Sequence, residues 1–488
     1  MLQTVLNVNS DRRFNLTAES LNGGILTDGD LTLTNVISGV GGLKKTGNAT
    51  LILGGQNDYT GRTIISSGNL FLTGEGGIEH SESVELSKGT SLNISSTTGG
   101  TMVNNLTGDE GSHVVLGDRF LTVNSLADSV FSGEFGAEGE TGGLLKTGAA
   151  SFTLAGQNNY TGDTTVSAGK LSLSGDSNIE KSGNVRLNRD ATLDISATTN
   201  GTMVNNLTGD EGSHVVLGDR FLTVNSLADS VFSGEFGAEG ETGGLLKTGA
   251  ASFTLAGQNN YTGDTTVSAG KLSLSGDSNI EKSGNVRLNR DATLDISATT
   301  NGTMVNNLTG DEGSHVVLGD RFLTVNSLAD SVFSGEFGAE GETGGLLKTG
   351  AASFTLAGQN NYTGDTTVSA GKLSLSGDSN IEKSGNVRLN RDATLDISAT
   401  TNGTMVNNLT GDEGSHVVLG DRLLTVNSLA DSVFSGEISG NGSLIKKGQG
   451  DMTLDGINSY QGITRIDQGN LRINSDQSLG GGIKTILT

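Results

Sequence analysis

Cysteine, proline and tryptophan are all missing from this 488-residue chain. Without cysteine the chain has no disulfide framework, no thiolate metal site and no cysteine nucleophile. Proline lacks a backbone N–H, so its absence is typical of strands that lie inside hydrogen-bonded ladders. Aromatic residues make up only 4% of the chain and hydrophobic residues 33%, which argues against a thick globular core.

Long apolar runs are also lacking. None approaches the roughly 18 residues of a membrane span, so we expect no direct membrane insertion of this segment. Residues 1–15 show neither the basic start nor the apolar block of an export signal, which indicates a removed signal or a longer parent chain. The formal net charge of −24 argues against nucleic acid and anionic lipid as direct partners.

Glycine, by contrast, is abundant, with 76 residues, and much of it lies in one recurring stretch. That stretch, LLKTGAASFTLAGQNNYTGDTTVSAGKLSL, starts at Leu144, has identical copies at Leu245 and Leu346, and has relatives at Leu43 and Leu444. A lysine recurs before its first glycine at Lys45, Lys146, Lys247, Lys348 and Lys446. Every tyrosine of the chain holds the same place in it: Tyr59, Tyr160, Tyr261, Tyr362 and Tyr460.

The recurrence extends over whole units of 101 residues, so that Met102, Met203 and Met304 are equivalent. Identity holds until Arg422, after which Leu423 stands where the earlier copies have phenylalanine. Internal repetition of this kind overrides a domain count based on length. We therefore predict a diverged N-terminal unit at 1–99, three identical repeats at 100–403, and a diverged, truncated C-terminal unit at 404–488.

Within one unit the apolar residues alternate, which predicts short strands and essentially no helix. The predicted strands are 113–117, 120–125, 129–132, 151–155, 164–167, 170–174, 184–188 and 192–196, and Gly133–Gly143 is predicted as a loop. A string of immunoglobulin-like sandwiches is one architecture that fits. The missing proline and the lack of polar linkers favour an all-β parallel β-solenoid, with about five turns per unit and equivalent residues about 24 Å apart.

The recurring stretch resembles the passenger-associated β-strand repeat of bacterial autotransporters. The family pattern, roughly L-x-K-x-G-x-G-T-L-x-L-x-G-x-N-x-Y-T-G-x-T-x-V-x-x-G-x-L-x-L, is matched at Leu144, Lys146, Gly148, Phe152, Leu154, Gly156, Asn158, Tyr160, Thr161, Gly162, Thr164, Val166, Gly169, Leu171 and Leu173. The chain departs from the pattern at Ala150, where the family has a second glycine, and returns to it at Gly450.

This resemblance implies a right-handed parallel β-helix, exported through the outer membrane and displayed on the surface of a Gram-negative cell. It also implies covalent continuity with a C-terminal outer-membrane β-barrel in the full-length protein. The function implied is an adhesin, a cell-contact rod that acts by multivalent display of repeated faces. Host-cell or bacterial surface receptors, or self-association, would supply its partners. The alternative is a passive folding and secretion scaffold for an effector or enzyme domain outside this chain.

Several residue types in the chain could in principle carry catalysis or bind a metal. His80 and the copied His113, His214, His315 and His416 are interpreted as isolated turn residues, too far apart to share a metal. Acid pairs such as Asp190/Asp194, Asp109/Glu110 and Glu138/Glu140 could in principle serve glycoside chemistry, and the GDEG and GDSN segments could ligate calcium. Surface acids and turns are the simpler interpretation, and we expect no enzyme activity, no cofactor and no catalytic or metal residue.

The recurrent Asn and Tyr of the stretch are predicted to be structural. Asn158 is expected to hydrogen-bond its counterpart in the turn above, and Tyr160 to cover a turn while its hydroxyl stays in water. The acidic loop Glu134–Glu140, shown once per unit, is the best candidate contact surface.

Overall fold

Short parallel strands joined by tight turns build the chain, which a computed structural model describes at residues 1–17, 24–482 and 484–486. The chain divides into two compact units, Met1–Gly244 and Leu245–Thr488. Within the described residues, the sole helical segment is one turn of 3₁₀ helix, Asp476–Ser478. The expected all-β class is confirmed.

The first twelve strands precede the identical copies. They are β1 Leu2–Thr4, β2 Val8–Ser10, β3 Phe14–Leu16, β4 Ile25–Thr27, β5 Leu31–Leu33, β6 Ile37–Gly39, β7 Leu43–Thr46, β8 Thr50–Leu53, β9 Thr63–Ile65, β10 Asn69–Gly74, β11 Val84–Leu86 and β12 Ser91–Thr97.

Twelve strands make up one 101-residue copy. They are β13 Thr101–Asn104, β14 Leu106–Gly108, β15 His113–Val115, β16 Phe120–Asn124, β17 Ser129–Phe131, β18 Glu134–Phe135, β19 Gly143–Thr147, β20 Ser151–Leu154, β21 Thr164–Val166, β22 Lys170–Gly175, β23 Val185–Leu187 and β24 Thr192–Thr198. The same bounds recur 101 residues later as β25–β36 and 202 residues later as β37–β48.

The C-terminal strands complete the order: β49 Thr404–Asn407, β50 Thr410–Gly411, β51 His416–Val418, β52 Leu423–Asn427, β53 Ser432–Phe434, β54 Glu437–Ser439, β55 Ser443–Lys447, β56 Met452–Leu454, β57 Thr464–Ile466, β58 Leu471–Ile473 and β59 Lys484–Ile486.

In the first unit the strands form parallel ladders. Ladder I runs β1-β4-β7-β9-β11-β14-β17-β20-β22-β24-β27-β30, and ladder II runs β2-β5-β8-β10-β12-β15-β18. Ladder III includes β13-β16-β19-β21-β23-β26-β29. Where the chain passes through β14, β15 and β16 before it reaches β17, one turn contributes a strand to each ladder in succession. This is a parallel β-solenoid with three faces, which confirms the predicted fold.

The second unit repeats the arrangement. Ladder IV includes β32-β34-β36-β39-β42, and ladder V includes β33-β35-β38-β41-β44-β46-β48-β51-β54. Ladder VI runs β37-β40-β43-β45-β47-β50-β53-β56-β58, and ladder VII runs β49-β52-β55-β57-β59. The strands β38, β39 and β40 lie on ladders V, IV and VI, and β41 returns to ladder V.

The core is a set of like residues stacked from turn to turn. Leu171 and Leu173 are fully buried on alternate positions of β22, and Leu171 pairs in register with Leu193 of the next turn. Aromatic rings fill the wider places: Phe135 lies edge-on to Phe131 with ring centroids 6.0 Å apart. One or two apolar side chains per strand are enough because each is covered by its equivalents above and below.

A copy does not contain a whole number of turns. Along ladder V, four steps lead from β38 through β41, β44 and β46 to β48, and the chain then passes β49 to reach β50, the copy of β38. β50 lies on ladder VI, two faces further on. Since a turn has three faces, a copy spans four and two-thirds turns, so the expected five turns per unit is wrong. In the first unit, β12 on ladder II and its copy β24 on ladder I show the same shift.

All eight predicted strands of the copy are present, with ends that differ by up to two residues. The prediction of a loop over Gly133–Gly143 is wrong in part, because β18 begins it and buries Phe135 completely. The pattern missed β13 and β14, where Met102 and Asn104 interrupt the apolar alternation. The division at 99/100 and 403/404 stays a prediction.

Candidate functional site

A surface groove recurs in successive copies at the corner where one ladder turns into the next. In the second unit, a groove of about 910 Å³ lies where ladder V turns into ladder IV and is lined by Arg287, Asp311, Glu312, His315, Glu336 and Asn361 among others. Its copy, of about 940 Å³, is lined by Arg388, Asp412, Glu413, His416 and Glu437. In the first unit a smaller groove, of about 490 Å³, holds Glu110, Glu134, Gln157 and Asn159. We call each of these a His–Glu groove.

Parallel register brings together the pair that names the groove. His315 begins β39 and Glu336 begins β42, and the two are register partners on neighbouring turns. Nδ1 of His315 lies 3.1 Å from Oε2 of Glu336. The same atoms are 3.0 Å apart in His113/Glu134, 3.1 Å in His214/Glu235 and 3.6 Å in His416/Glu437. The expectation of isolated turn histidines is therefore wrong for these four, because the parallel register pairs each of them with an acid 21 residues later. His80 lies in a turn, as expected.

The pair continues as a column of polar side chains across further turns. Nδ2 of Asn361 donates to Oε1 of Glu336 at 2.7 Å, and Nζ of Lys383 donates to Oδ1 of Asn361 at 2.8 Å. The first unit repeats this column through Asn159 and Lys181, with both distances 2.8 Å. In the last copy a serine hydroxyl, that of Ser459, donates to Glu437 in place of the asparagine.

Carboxylates outnumber cations on the groove walls. Arg287 lies 3.4 Å from Asp311, and Arg388 lies 3.4 Å from Asp412, with both members of each pair about half exposed. Glu312 lies 3.9 Å from Arg290, and 84% of its side chain is exposed. The groove therefore presents hydrogen-bond acceptors and negative charge to whatever enters it.

The acidic loop of each copy is less available than expected. Glu134 is held by His113 and Asn159, as described above. Oε2 of Glu140 accepts the backbone N–H groups of Leu116 and Ala137, both at 2.9 Å, and so closes the loop. Glu138 alone of the loop's three acids is exposed. The walls of the neighbouring groove carry two exposed carboxylates, those of Glu110 and Asp176, against one in this loop.

The recurrent lysine is buried and holds the turn of the stretch together. Nζ of Lys146 donates to the carbonyl oxygens of Thr147, Gly148 and Ala168 at 2.8, 2.9 and 3.0 Å. Burial lowers the pKa of Lys146 to about 8. Because Ala168 belongs to the next turn, this lysine joins two turns.

The recurrent tyrosine is also internal, which corrects the expectation of a hydroxyl in water. Tyr160 is 1% exposed, and its hydroxyl lies 2.6 Å from Oγ1 of Thr164. Oγ1 of Thr164 lies 2.9 Å from Oγ of Ser182 in the next turn. Burial raises the pKa of Tyr160. Asn158 meets its expectation in part: it donates to Asn178 O one turn above, and to Ser177 Oγ.

The acid pairs considered for catalysis occupy structural positions. Asp190 sits in a turn with φ of 62°. Asp194 accepts from Ser196 at 2.6 Å and from Lys170 at 3.1 Å. Burial opposes the charge of Asp194, but these bonds outweigh it and lower its pKa. In the part of the chain that the structure describes, no three His, Cys, Asp or Glu residues are grouped to hold a metal ion.

Among the residues that the structure describes, no helix is long and apolar enough to cross a membrane.

The recurring stretch matches a known family of repeats. The passenger-associated-transport-repeat family matches residues 43–70, 144–173, 245–274, 346–375 and 444–473. The adhesin BmaC autotransporter of Brucella suis biovar 1 (strain 1330) is 31% identical over 504 aligned residues, which cover 96% of this chain and 14% of that protein. An uncharacterized lipoprotein of Escherichia coli (strain K12), YdeK, is 29% identical over 156 residues, which cover 32% of this chain and 11% of that protein.

The fold is thus a β-solenoid that carries one passenger repeat in each copy. The five repeat matches and the similarity to an autotransporter adhesin over 96% of the chain support a passenger segment that is exported through the outer membrane and displayed at the cell surface. The chain spans about a seventh of the length of the Brucella adhesin to which it is similar.

Proposed function

We propose that this segment is an adhesive passenger whose copies of the His–Glu groove contact other surfaces. The observation that carries the proposal is the recurrence of one groove, with the same pair of side chains, in grooves of about 910 and 940 Å³. Identical sites on one chain allow several weak contacts to be made at the same time. The name of the Brucella relative supports adhesion as the role.

The chemistry of the groove favours recognition over catalysis. Its carboxylates are tied to histidine, arginine or asparagine or stand in open solvent, an arrangement that suits basic or hydroxyl-rich groups of a receptor on a host or bacterial surface. Glycoside cleavage needs two carboxyl groups at a set separation across one sugar, one of them with a raised pKa. On this basis we propose a non-enzymatic role.

Surface display tests the adhesive role. The chain is fused to the membrane anchor of an unrelated display system on non-adherent cells, and binding to host cells and to other bacteria is counted. The groove variant carries serine at all four equivalent acids: Glu110, Glu211, Glu312 and Glu413. The control carries serine at four exposed acids outside the grooves, with the same change of net charge: Glu75, Glu138, Glu239 and Glu340.

We expect the unchanged chain to bind, the control to bind equally, and the groove variant to lose most of its binding. Deletion of a 101-residue copy should leave the fold intact, because identical ends meet at the junction. Absence of binding by a folded, displayed chain would favour the alternative of a passive folding and secretion scaffold. Equal binding by the groove variant would remove the groove from the proposal.

A further inference from the structure

Neighbouring grooves do not open in the same direction. In the second unit, one groove lies at the corner between ladders V and IV, and its copy lies at the corner between ladders VI and V. The solenoid has three faces and therefore three corners. The shift of one corner follows from the four and two-thirds turns in each copy, which turn every equivalent residue by a third of a revolution.

The spacing along the solenoid is short. Four and two-thirds turns at the usual strand separation of about 4.8 Å place neighbouring grooves about 22 Å apart along the axis. A flat surface that meets one groove therefore cannot also meet its neighbour, although the two are close.

We infer that neighbouring copies of the groove engage partners carried on separate surfaces, so that the segment bridges two surfaces instead of multiplying contacts to one. The inference rests on the proposed function, because it takes the groove as the contact site. It replaces the expectation that repeated faces line up for one partner surface. The partner is a surface receptor with basic or hydroxyl-rich groups, present on each of two cells.

The directions of two grooves can be measured without the natural receptor, because a chain free of cysteine allows unique labelling. Glu312→Cys with Glu413→Cys places biotin, on a short maleimide linker, at two neighbouring grooves, where both side chains are 84% exposed. The matched control is Ala351→Cys with Ile457→Cys. Both of these residues lie at the corner between ladders VI and V, five strand steps or about 24 Å apart along ladder VI.

Each labelled chain is captured on a flat streptavidin layer, and soluble fluorescent streptavidin is then added. In the control both biotins face the layer, so little soluble streptavidin should bind. In the Glu312/Glu413 pair the second biotin faces away, and we expect a several-fold higher signal. Equal signals from the two pairs would overturn the inference and would leave the proposed adhesive role untouched.

Clumping of target cells tests the consequence for the natural partner. The soluble full chain should bind cells and clump them, and a variant that keeps only the groove at Glu413, with serine at Glu110, Glu211 and Glu312, should bind but not clump. Binding of the full chain without clumping would overturn the inference. Loss of cell binding by the groove variant of the previous section is the separate test of the proposed function.

Discussion

Nζ of Lys45 donates to the carbonyl oxygen of Ser67 at 2.8 Å and so joins two successive turns of the solenoid. The same ammonium group also donates to Thr46 and Gly47. This lysine recurs in all five passenger repeats, and Lys45 lies in a unit of unique sequence. The effect of a substitution there can therefore be assigned to one segment by mass spectrometry. In the identical copies, peptides of the same sequence could not be told apart.

Lys45→Met keeps the buried aliphatic stem and removes three hydrogen-bond donors. A hydrogen bond from a charged donor contributes roughly 1.5–3 kcal/mol, and three stranded carbonyls add to the loss. We expect faster amide exchange in residues 43–70, with little change in the identical copies. Unchanged exchange in that segment would show that the lysine does not join the turns.

The pH dependence of stability has a sign fixed by the same lysines. Burial lowers the pKa of Lys45 in the folded chain from the ordinary 10.5 to about 8. Between these values the unfolded chain binds more protons than the folded chain, so this group's contribution to stability rises as pH increases through the window. Replacement of all five lysines by methionine should remove the rise. The measurement is the denaturant midpoint from pH 7 to 10 for both chains, and parallel curves would contradict it.

Tyr59 and Thr63 form a buried pair, with hydroxyl oxygens 2.6 Å apart. Tyr59→Phe leaves Thr63 with Ser81 as its remaining side-chain partner, and we expect a loss of about 1 kcal/mol in the free energy of unfolding. A double-mutant cycle with Thr63→Val isolates the contribution of the pair. Additive effects of the two substitutions would show that the hydroxyls do not interact.

Gly61 lies where two consecutive turns approach closely, at the glycine of the Tyr-Thr-Gly segment. A Cβ at this position would lie 2.5 Å from the carbonyl carbon of Gly41, a backbone atom that cannot rotate away. Gly61→Ala should therefore destabilise the chain by about 1–3 kcal/mol, as overpacking does. Gly99→Ala is the control, since a Cβ there meets nothing within 4 Å. Equal thermal stability of the two variants would contradict the argument.

The His–Glu pairs should matter little for stability. The side chain of His315 is 44% exposed and that of Glu336 is 32% exposed. Ion pairs with this exposure contribute about 0–1 kcal/mol. We expect His315→Ala to lower the free energy of unfolding by less than about 1 kcal/mol, although the groove loses one of its lining side chains. A larger loss on thermal denaturation would show that the column is part of the scaffold.

The sequence predicts strands well because alternation is a local property. The alternation of Leu171 and Leu173 predicts a strand regardless of the residues in the neighbouring turn. The same holds for Leu31 and Leu33 near the start of the chain. The pairing of His113 with Glu134 could not be predicted in the same way, because it depends on the number of residues in a turn. Steps along a ladder vary, from Phe152↔Leu171 at 19 residues to Gly108↔Phe131 at 23.

The buried tyrosine shows a second limit of the pattern. Tyr160 lies among Asn, Thr and Gly, a composition typical of solvent-exposed turns. Its burial follows from Phe135, whose ring centroid is 5.7 Å away and which the next-lower turn supplies. Contacts between turns decide which polar positions are internal, and the alternation within one strand carries no information about them.

The fractional number of turns in each copy also has a genetic consequence. Identical stretches of DNA recombine with one another, and a gain or loss of one copy changes the length of the protein. It also rotates everything beyond the junction by a third of a revolution about the solenoid axis. Copy number therefore sets the direction in which the distal sequence faces about the axis as well as the length of the solenoid. Only a change of three copies restores the original direction.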